Sequence, residues 1–390
     1  MALGLVSTLA LGAGATAQAA QAASSDVLGS RWSETTLPVD DSRGAAIVRP
    51  DAHTTWIAGT RMVQAGKVMT FAPSLIERDT RKGDGWSEVG LPALPAGADV
   101  QIYGADASTS RSGFLVGDNH EAVGGFLTER RDGSSWRVVP AAAPADIMVG
   151  SLLAVDEITP NNAWAVGFAQ IFDGFIPDPD GGLPQQVDHT EPIVRHWDGA
   201  AWQVVDLSAI VPDSYLFSVT AISARDVWAV GRTADLKPIA VHFDGTSWTN
   251  VPVPDANGEL RDVIARGPND VWAVGGKRNV SDTGAEAFAL RFDGTGWREV
   301  PMPTGTGVLD RGVLTGGGLL CVGSDESATN PFALTIASGQ VRPVPLPAGT
   351  SDLNITALDV HGSELLLAGF RAHGEGPDYG WTPTLLTHRR

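Results

Sequence analysis

Residues 260–303 read LRDVIARGPNDVWAVGGKRNVSDTGAEAFALRFDGTGWREVPMP, which is four short strand-like runs separated by turn residues. We predict strands a, b, c and d at LRDVIAR (260–266), DVWAVGG (270–276), EAFALRF (286–292) and GWREVPMP (296–303). The Asp293-Gly294 pair is typical of a tight turn between strands c and d, because glycine adopts the positive φ angle that a hairpin requires. The stretch therefore predicts one small antiparallel sheet.

This unit recurs along the chain. The strand-b run ends in a glycine, and these glycines lie 44 to 64 residues apart, in WIAG (56–59), FLVG (114–117), WAVG (164–167, 228–231 and 272–275), LCVG (320–323) and LLAG (366–369). The c–d hairpin recurs at Trp86, Trp136, Trp202, Trp248 and Trp297, and in degenerate form at IASGQV (336–341). A spacing that accommodates four strands is typical of propeller blades.

The repeat predicts how the ring closes. The sequence contains seven strand-b runs but only six c–d hairpins. The last strand c, TPTLLTHRR (382–390), has no strand d after it. The stretch LGSRWSETTLP (28–38) supplies one, since Gly29 and Trp32 keep the offset of Gly294 and Trp297. We therefore predict an all-β, seven-bladed β-propeller of four-stranded antiparallel blades, forming a single domain over 28–390 and closed by its N-terminal strand.

Residues 1–27 form an apolar, Ala- and Leu-rich run with small-residue A-x-A sites, which predicts a secretory leader. The first basic residue is Arg31, so the usual basic start of a leader is missing. No later run is long and apolar enough to predict a membrane span. We expect a secreted, extracellular protein.

Composition excludes several functions. A net charge of −18 disfavours nucleic acid and anionic membranes as partners. The single cysteine, Cys321, lies in the apolar run LLCVG and predicts a buried thiol. The histidines show no HxxH or HExxH spacing, and the sequence has no P-loop or G-x-S-x-G motif. We expect no cofactor and no metal.

Most tryptophans fall in two repeat columns and predict packing between blades, namely Trp56, Trp164, Trp228 and Trp272 on strand b and Trp32, Trp86, Trp136, Trp202, Trp248 and Trp297 on strand d. Trp197 shares a column with Phe243 and Phe292, so that Trp381 alone lies outside the pattern. His196 and His242 occupy the strand-c position of Arg291, which indicates a polar outer site.

Candidate functional residues lie where b–c loops interrupt the repeat. The insertions are 170–191 in blade 3, 277–286 in blade 5 and 371–381 in blade 7, and b–c loops share one face of a propeller. Basic residues that follow the strand-b glycines of four blades are expected to surround the channel mouth. The candidate ligand-binding residues are Trp381, Tyr379, Arg371, Phe172, Phe175, Asp180, Lys277, Arg61 and Arg232. Solvated loop residues are the alternative, and DPDGG (178–182) is either a calcium-stabilised loop or an acidic turn.

The repeats resemble those of secreted bacterial β-propellers of the WD40-like and Asp-box-like type over residues 29–390. The Asp and Gly of each turn are adjacent, whereas an Asp-box separates them by one residue, so sialidase activity does not carry over. More weakly, the chain resembles the lectin-like propeller subunits of secreted antibacterial particles, the umbrella toxins. That resemblance implies a subunit of a multicomponent extracellular particle.

Two functions remain open. The leading interpretation is a non-catalytic recognition propeller that binds a glycan, or a secreted or cell-surface protein, through its loop-rich face. The alternative is a polysaccharide hydrolase or lyase with its site at the channel mouth.

Overall fold

The structure is a computed structural model that describes residues 32–65, 68–95, 97–120, 125–178, 182–278, 284–305, 307–325, 330–375 and 379–389. The predicted leader and Gly29 lie outside these residues. Within them the chain forms 28 strands arranged as seven four-stranded antiparallel sheets.

The first three blades follow one another along the chain. Blade 1 contains β2 (Ser42–Val48), β3 (Thr54–Ala65), β4 (Val68–Asp79) and β5 (Trp86–Glu88). Blade 2 contains β6 (Val100–Thr109), β7 (Ser112–Asn119), β8 (Gly125–Asp132) and β9 (Ser135–Val138). Blade 3 contains β10 (Ile147–Thr159), β11 (Asn162–Ile176), β12 (Gln185–Trp197) and β13 (Trp202–Asp206).

The next three blades repeat the order. Blade 4 contains β14 (Ser214–Ser223), β15 (Asp226–Thr233), β16 (Pro238–Phe243) and β17 (Trp248–Asn250). Blade 5 contains β18 (Gly258–Gly267), β19 (Asp270–Arg278), β20 (Ala285–Phe292) and β21 (Trp297–Glu299). Blade 6 contains β22 (Val308–Thr315), β23 (Gly318–Ser324), β24 (Pro331–Ala337) and β25 (Gln340–Val344).

Blade 7 joins the two ends of the chain. It contains β26 (Leu353–His361), β27 (Glu364–His373) and β28 (Gly380–Arg389), and its fourth strand is β1 (Trp32–Thr36). β1 pairs antiparallel with β28, with Trp32 opposite His388 and Thr36 opposite Thr384. The predicted seven-bladed β-propeller, closed by its N-terminal strand, is confirmed.

The hydrophobic core lies between neighbouring blades. One cluster joins Trp164 and Val194 of blade 3 to Leu216 and Val227 of blade 4. The strand-b tryptophan of one blade packs against the strand-d tryptophan of the next, as Trp164 does against Trp248 with ring centroids 5.4 Å apart. The predicted packing role of these columns is confirmed.

Buried carboxylates also join blades near the channel. Asp106 accepts a hydrogen bond from the backbone N–H of Glu157 at 2.7 Å, and Asp156 accepts one from Ala221 at 2.9 Å. Asp262 accepts one from Gly312 at 2.9 Å. Burial raises the pKa of each of these three carboxyl groups, because a charged carboxylate loses its water there.

The predicted c–d turns have the expected geometry. Gly294 has a φ of 90°, and the Asp293 carboxylate accepts hydrogen bonds from the backbone N–H groups of Thr295 and Gly296. Proline occupies two kinds of position in strand c. Pro238 and Pro331 open their strands, whereas Pro192 and Pro383 lie inside strands that the b–c insertions lengthen.

Candidate functional site

Strand a of every blade carries a β-bulge at the same height. The register with strand b shifts by one residue directly after the residue that faces the strand-b glycine. A bulge leaves one residue unpaired and turns its side chain away from the regular alternation. The seven bulge residues, one per blade, are Ala45, Tyr103, Leu153, Phe217, Arg261, Asp310 and Thr356.

The bulge explains the repeated strand-b glycine. A Cβ atom at Gly231 would lie 1.8 Å from the carbonyl oxygen of Tyr215, the residue that precedes the bulged pair. The corresponding distance is between 1.8 and 2.2 Å in all seven blades. No side chain fits at that distance, so the glycine column and the bulge column are two aspects of one backbone geometry.

All seven bulge residues line a single cavity of about 640 Å³ at the inner strands. The size is suited to a small ligand or the end of a chain. Blades 2, 3 and 4 contribute Tyr103, Leu153 and Phe217, which form an apolar and aromatic arc. Blades 5, 6 and 7 contribute Arg261, Asp310 and Thr356, so the opposite arc is charged and polar.

The charged arc is held in place by ion pairs. Arg261 donates to Glu259 at 2.6 Å and also to Asp310 of the next blade. Arg232 reaches the other side of Glu259 at 3.1 Å. Burial alone would lower the pKa of Arg261, but the adjacent Glu259 and Asp310 carboxylates raise it. The guanidinium therefore stays charged in a fixed position.

Tyr103 is backed by a buried polar group. Burial, together with the negative charge of Asp118, raises the pKa of the Tyr103 phenol, so this group ionises even less readily than an ordinary tyrosine. Asp118 accepts a hydrogen bond from Ser151 at 2.7 Å and lies 3.3 Å from the His120 imidazole. Burial raises the pKa of Asp118 as well. These contacts fix one wall of the cavity.

Three of the four predicted mouth cations lie elsewhere. Each crosses the face of its blade to a glutamate on strand d, two residues after the column tryptophan: Lys277 contacts Glu299 at 2.6 Å, Arg61 contacts Glu88 at 3.1 Å, and Arg371 contacts Glu34. The expectation that they surround the channel mouth is wrong, because the W-x-E glutamate of the outer strand attracts them outward. In blade 4 the basic residue follows its glycine by one position rather than two, and Arg232 pairs with Glu259 of the next blade instead.

Trp381 is also placed differently from the prediction. It belongs to β28 rather than to the b–c loop predicted over 371–381, and it is only 6% exposed, so the predicted loop position is wrong. Its ring stacks on Phe71 of blade 1 with centroids 5.8 Å apart, and its indole N–H donates to the Tyr379 hydroxyl at 3.2 Å. Tyr379 is 42% exposed. The proposed binding role of the pair stays a prediction.

The blade 3 insertion is a β-hairpin rather than a loop, since β11 and β12 pair as far as Ile176 and Gln185. Phe172 and Phe175 lie on it, both exposed, with ring centroids 5.2 Å apart. Most exposed large hydrophobic side chains of the described residues lie on this hairpin, on the adjoining strand β10 and on the extended β3–β4 hairpin of blade 1: Met148, Val149, Phe172, Phe175, Ile176, Leu183, Val63, Val68 and Met69. Asp180 lies outside the described residues.

The described ranges contain no group of three or more His, Cys, Asp or Glu side chains arranged to hold a metal ion. In the same ranges no helix has the length and apolar character that crossing a bilayer requires. Cys321 is fully buried, and burial raises the pKa of its thiol.

Comparison with known proteins supports the fold. No protein-family model matches the chain, and no curated protein matches it. Among solved structures, "YCF48 bound to D1 peptide" is similar with a TM-score of 0.55 and 13% identity, covering 92% of this chain and 96% of that one. The WD40 β-propeller domain of Doa1 is similar with a TM-score of 0.51 and 9% identity, covering 91% and 96%. At these identities the likeness shows the propeller fold alone.

Sequence reasoning missed the cavity residues, of which Arg43, Tyr103, Phe217, Arg261 and Arg311 carry most of the chemistry. A signal for them was present. Each strand-b glycine requires a close approach by strand a, and the residue that bulges there lies just beyond the point of approach. The seven glycines therefore mark the seven cavity positions.

Proposed function

We propose that this chain is a recognition propeller, without catalytic activity, that binds a segment of a protein partner at the mouth of its central channel. The observation that carries the proposal is the convergence of seven unlike bulge residues on one cavity. The repeated backbone geometry places the seven bulge residues at the cavity, while their side-chain chemistry differs from blade to blade. The apolar arc offers contact area for side chains, and the charged arc offers fixed hydrogen-bond donors and acceptors.

The ion pairs favour binding over glycoside hydrolysis. A glycosidase needs two carboxyl groups with separate roles, one of them a proton donor. Glu259 and Asp310 line the cavity, but both are engaged by Arg261. Such an arrangement serves positioning better than proton transfer.

The peptide-bound YCF48 structure supports the choice of a protein segment, since a propeller of similar fold is described there with a peptide. A glycan partner is the competing candidate. Tyr103 and Phe217 could contact sugar rings, and the experiment below separates the two.

We further propose that the protein is exported and acts outside the cell, as a subunit of a multicomponent extracellular particle. The apolar run with A-x-A sites in residues 1–27 supports export, and particle membership rests on the weaker resemblance given above. N-terminal sequencing of the protein from culture supernatant tests export, since cleavage after an A-x-A site is expected. Retention in cells with an intact N-terminus would contradict it.

The binding proposal is tested with labelled protein on a peptide array and a glycan array. We expect wild type to bind a set of peptides, and Phe217→Ala and Arg261→Gln to lose them by at least tenfold. Arg298→Gln is the matched control, because Arg298 is exposed on strand d and contacts Asp293 far from the cavity. Binding to glycans alone, or equal binding by all variants, would overturn the proposal.

A further inference from the structure

Two cations of the cavity wall lack a carboxylate partner among the residues that the structure describes. Arg261 and Arg232 are both ion-paired, whereas Arg43 and Arg311 have no Asp or Glu oxygen within ion-pair distance in that part of the chain. In a protein with a net charge of −18, guanidinium groups that form no ion pair at a concave site indicate an anionic ligand.

Arg43 is held in place without being neutralised. Its guanidinium donates to the amide oxygen of Gln101 and lies 4.9 Å above the Trp381 ring. Trp381 is itself fixed by Phe71 and by Asp41, which accepts a hydrogen bond from its backbone N–H at 3.0 Å. Neutral partners orient the cation and leave its charge available, so Trp381 is a positioning residue.

Arg311 also forms a hydrogen bond to a neutral group. It donates to the backbone carbonyl of Asp310 at 2.8 Å, while the Asp310 carboxylate is engaged by Arg261. The negative group that Arg311 faces is Asp262, which already accepts hydrogen bonds from Ser218 and from the backbone of Gly312. Burial raises the pKa of the Asp262 carboxyl and the Arg311 charge acts against that rise, yet the two side chains form no ion pair in the described part of the chain.

The positions of these residues define a direction across the ring. Arg43 belongs to blade 1 and Arg311 to blade 6, so they flank blade 7, where Asn354 and Thr356 line the cavity with neutral polar groups. The blades opposite are 3 and 4, which contribute Leu153 and Phe217. One side of the cavity is therefore suited to an anion and the other to an apolar side chain.

We infer that the cavity receives the C-terminal end of a polypeptide, with its carboxylate between Arg43 and Arg311 and its last side chain, an apolar one, against Leu153 and Phe217. This inference rests on the proposed function and names the ligand of that same site. A planar carboxylate suits guanidinium donors. A chain end needs to enter the mouth only once, whereas an internal segment must enter and leave through it. An acidic sugar would bring hydroxyl groups against Leu153 and Phe217, which cannot hydrogen-bond to them.

The test uses a tetrapeptide library prepared in two forms, with a free C-terminal carboxylate and with a C-terminal amide, and measures retention on the immobilised full chain. We expect free acids ending in Leu, Ile, Val or Phe to be retained, and the matching amides to bind at least tenfold more weakly. Arg43→Gln and Arg311→Gln should each weaken the acids about tenfold and leave the amides unchanged. Arg298→Gln should change neither.

Thermal melting of each variant checks that it is folded. If Arg43→Gln unfolds, Arg43→Lys keeps the charge and loses the planar donor pair, and it should still weaken acids more than amides. Equal retention of acids and amides would overturn the carboxylate inference while leaving peptide recognition intact. Oligogalacturonate serves as an acidic-sugar probe on the same immobilised chain. If the chain retained oligogalacturonate and no peptide, or retained neither of them, both proposals would be overturned.

Discussion

The strand-b glycine column and the strand-a bulge column lie side by side in every blade, yet they vary in opposite ways. The glycine is the same in all seven blades, whereas the seven bulge residues are all of different types. The repeated residue permits the close backbone approach, and the approach presents its neighbour to the channel. Repetition within the chain therefore marks the residues that hold the ring together, and variation at a repeated geometry marks the residues that line the cavity.

The strongest test of this division replaces a column glycine. Gly231→Ala would place a Cβ atom 1.8 Å from the carbonyl oxygen of Tyr215, so we expect a loss above about 4 kcal/mol and little folded protein. Gly267→Ala is the control, since a Cβ atom there meets nothing within 4 Å. Circular dichroism melts of the two decide the point. A stable Gly231→Ala protein would mean that the glycine column is not structural.

A slightly smaller effect is expected from removing the closing strand. Deleting residues 1–38 removes β1 and the Leu37 contact with Pro383, which exposes an edge of β28. Deleting only residues 1–27 should leave the melting temperature unchanged, whereas the longer deletion should lower it by more than ten degrees. Identical melting of both truncations would argue against closure by β1.

Trp381 tests whether a residue outside the repeat can also be structural. Trp381→Ala removes a buried ring that contacts Phe71, Phe370 and Arg43, so we expect a loss of about 3 kcal/mol. Tyr379→Phe removes only the hydroxyl that accepts from the indole, and about 1 kcal/mol should be lost. Urea unfolding measures both. If Trp381→Ala lost no stability, the ring would not be needed for packing, and the predicted role in ligand binding would be favoured.

Glu129 tests a repeated column that is charged in two blades, at Glu129 in blade 2 and at Arg195 in blade 3. Its side chain is fully buried, and neither carboxylate oxygen has a hydrogen-bond partner in the described chain. The same strand-c position is apolar in five other blades: Ile76, Val241, Leu290, Leu334 and Leu386. Burial raises the pKa of Glu129 to about 8, so the folded state resists its ionisation.

The raised pKa of Glu129 determines how the stability of the protein depends on pH. Because the folded-state pKa lies above the ordinary one, the stability of the wild type should fall as pH rises from about 4.5 through 8. Glu129→Leu should abolish this component and stabilise the protein by about 1–3 kcal/mol at pH 9, with a smaller gain at pH 4.5. Glu129→Gln is the isosteric control. A gain that is independent of pH would place the effect in packing alone.

The repeated part of the fold could be predicted from the sequence, because glycine, tryptophan and Asp-Gly recur in fixed order and each has one structural reason. The site could not be predicted in the same way. The sequence predicts Lys277 and Arg371 at the mouth because they follow a strand-b glycine, but it does not show which glutamate they contact across two strands. Because Trp381 follows Tyr379 and Gly380, the sequence predicts a loop there, whereas pairing with Ala372 makes Trp381 part of a strand.

The pairing of Trp32 with His388 has a consequence for the order of folding during synthesis. Each of blades 1 to 6 consists of consecutive strands, so it can form its sheet soon after its own residues leave the ribosome. β1 is made first but must wait for β28, and until then both are unpaired edges. The cost of closing so long a loop grows only slowly with its length, yet Trp32 and His388 lie far apart in sequence. We therefore expect blade 7 to close after blades 1 to 6 have formed, once β28 has left the ribosome.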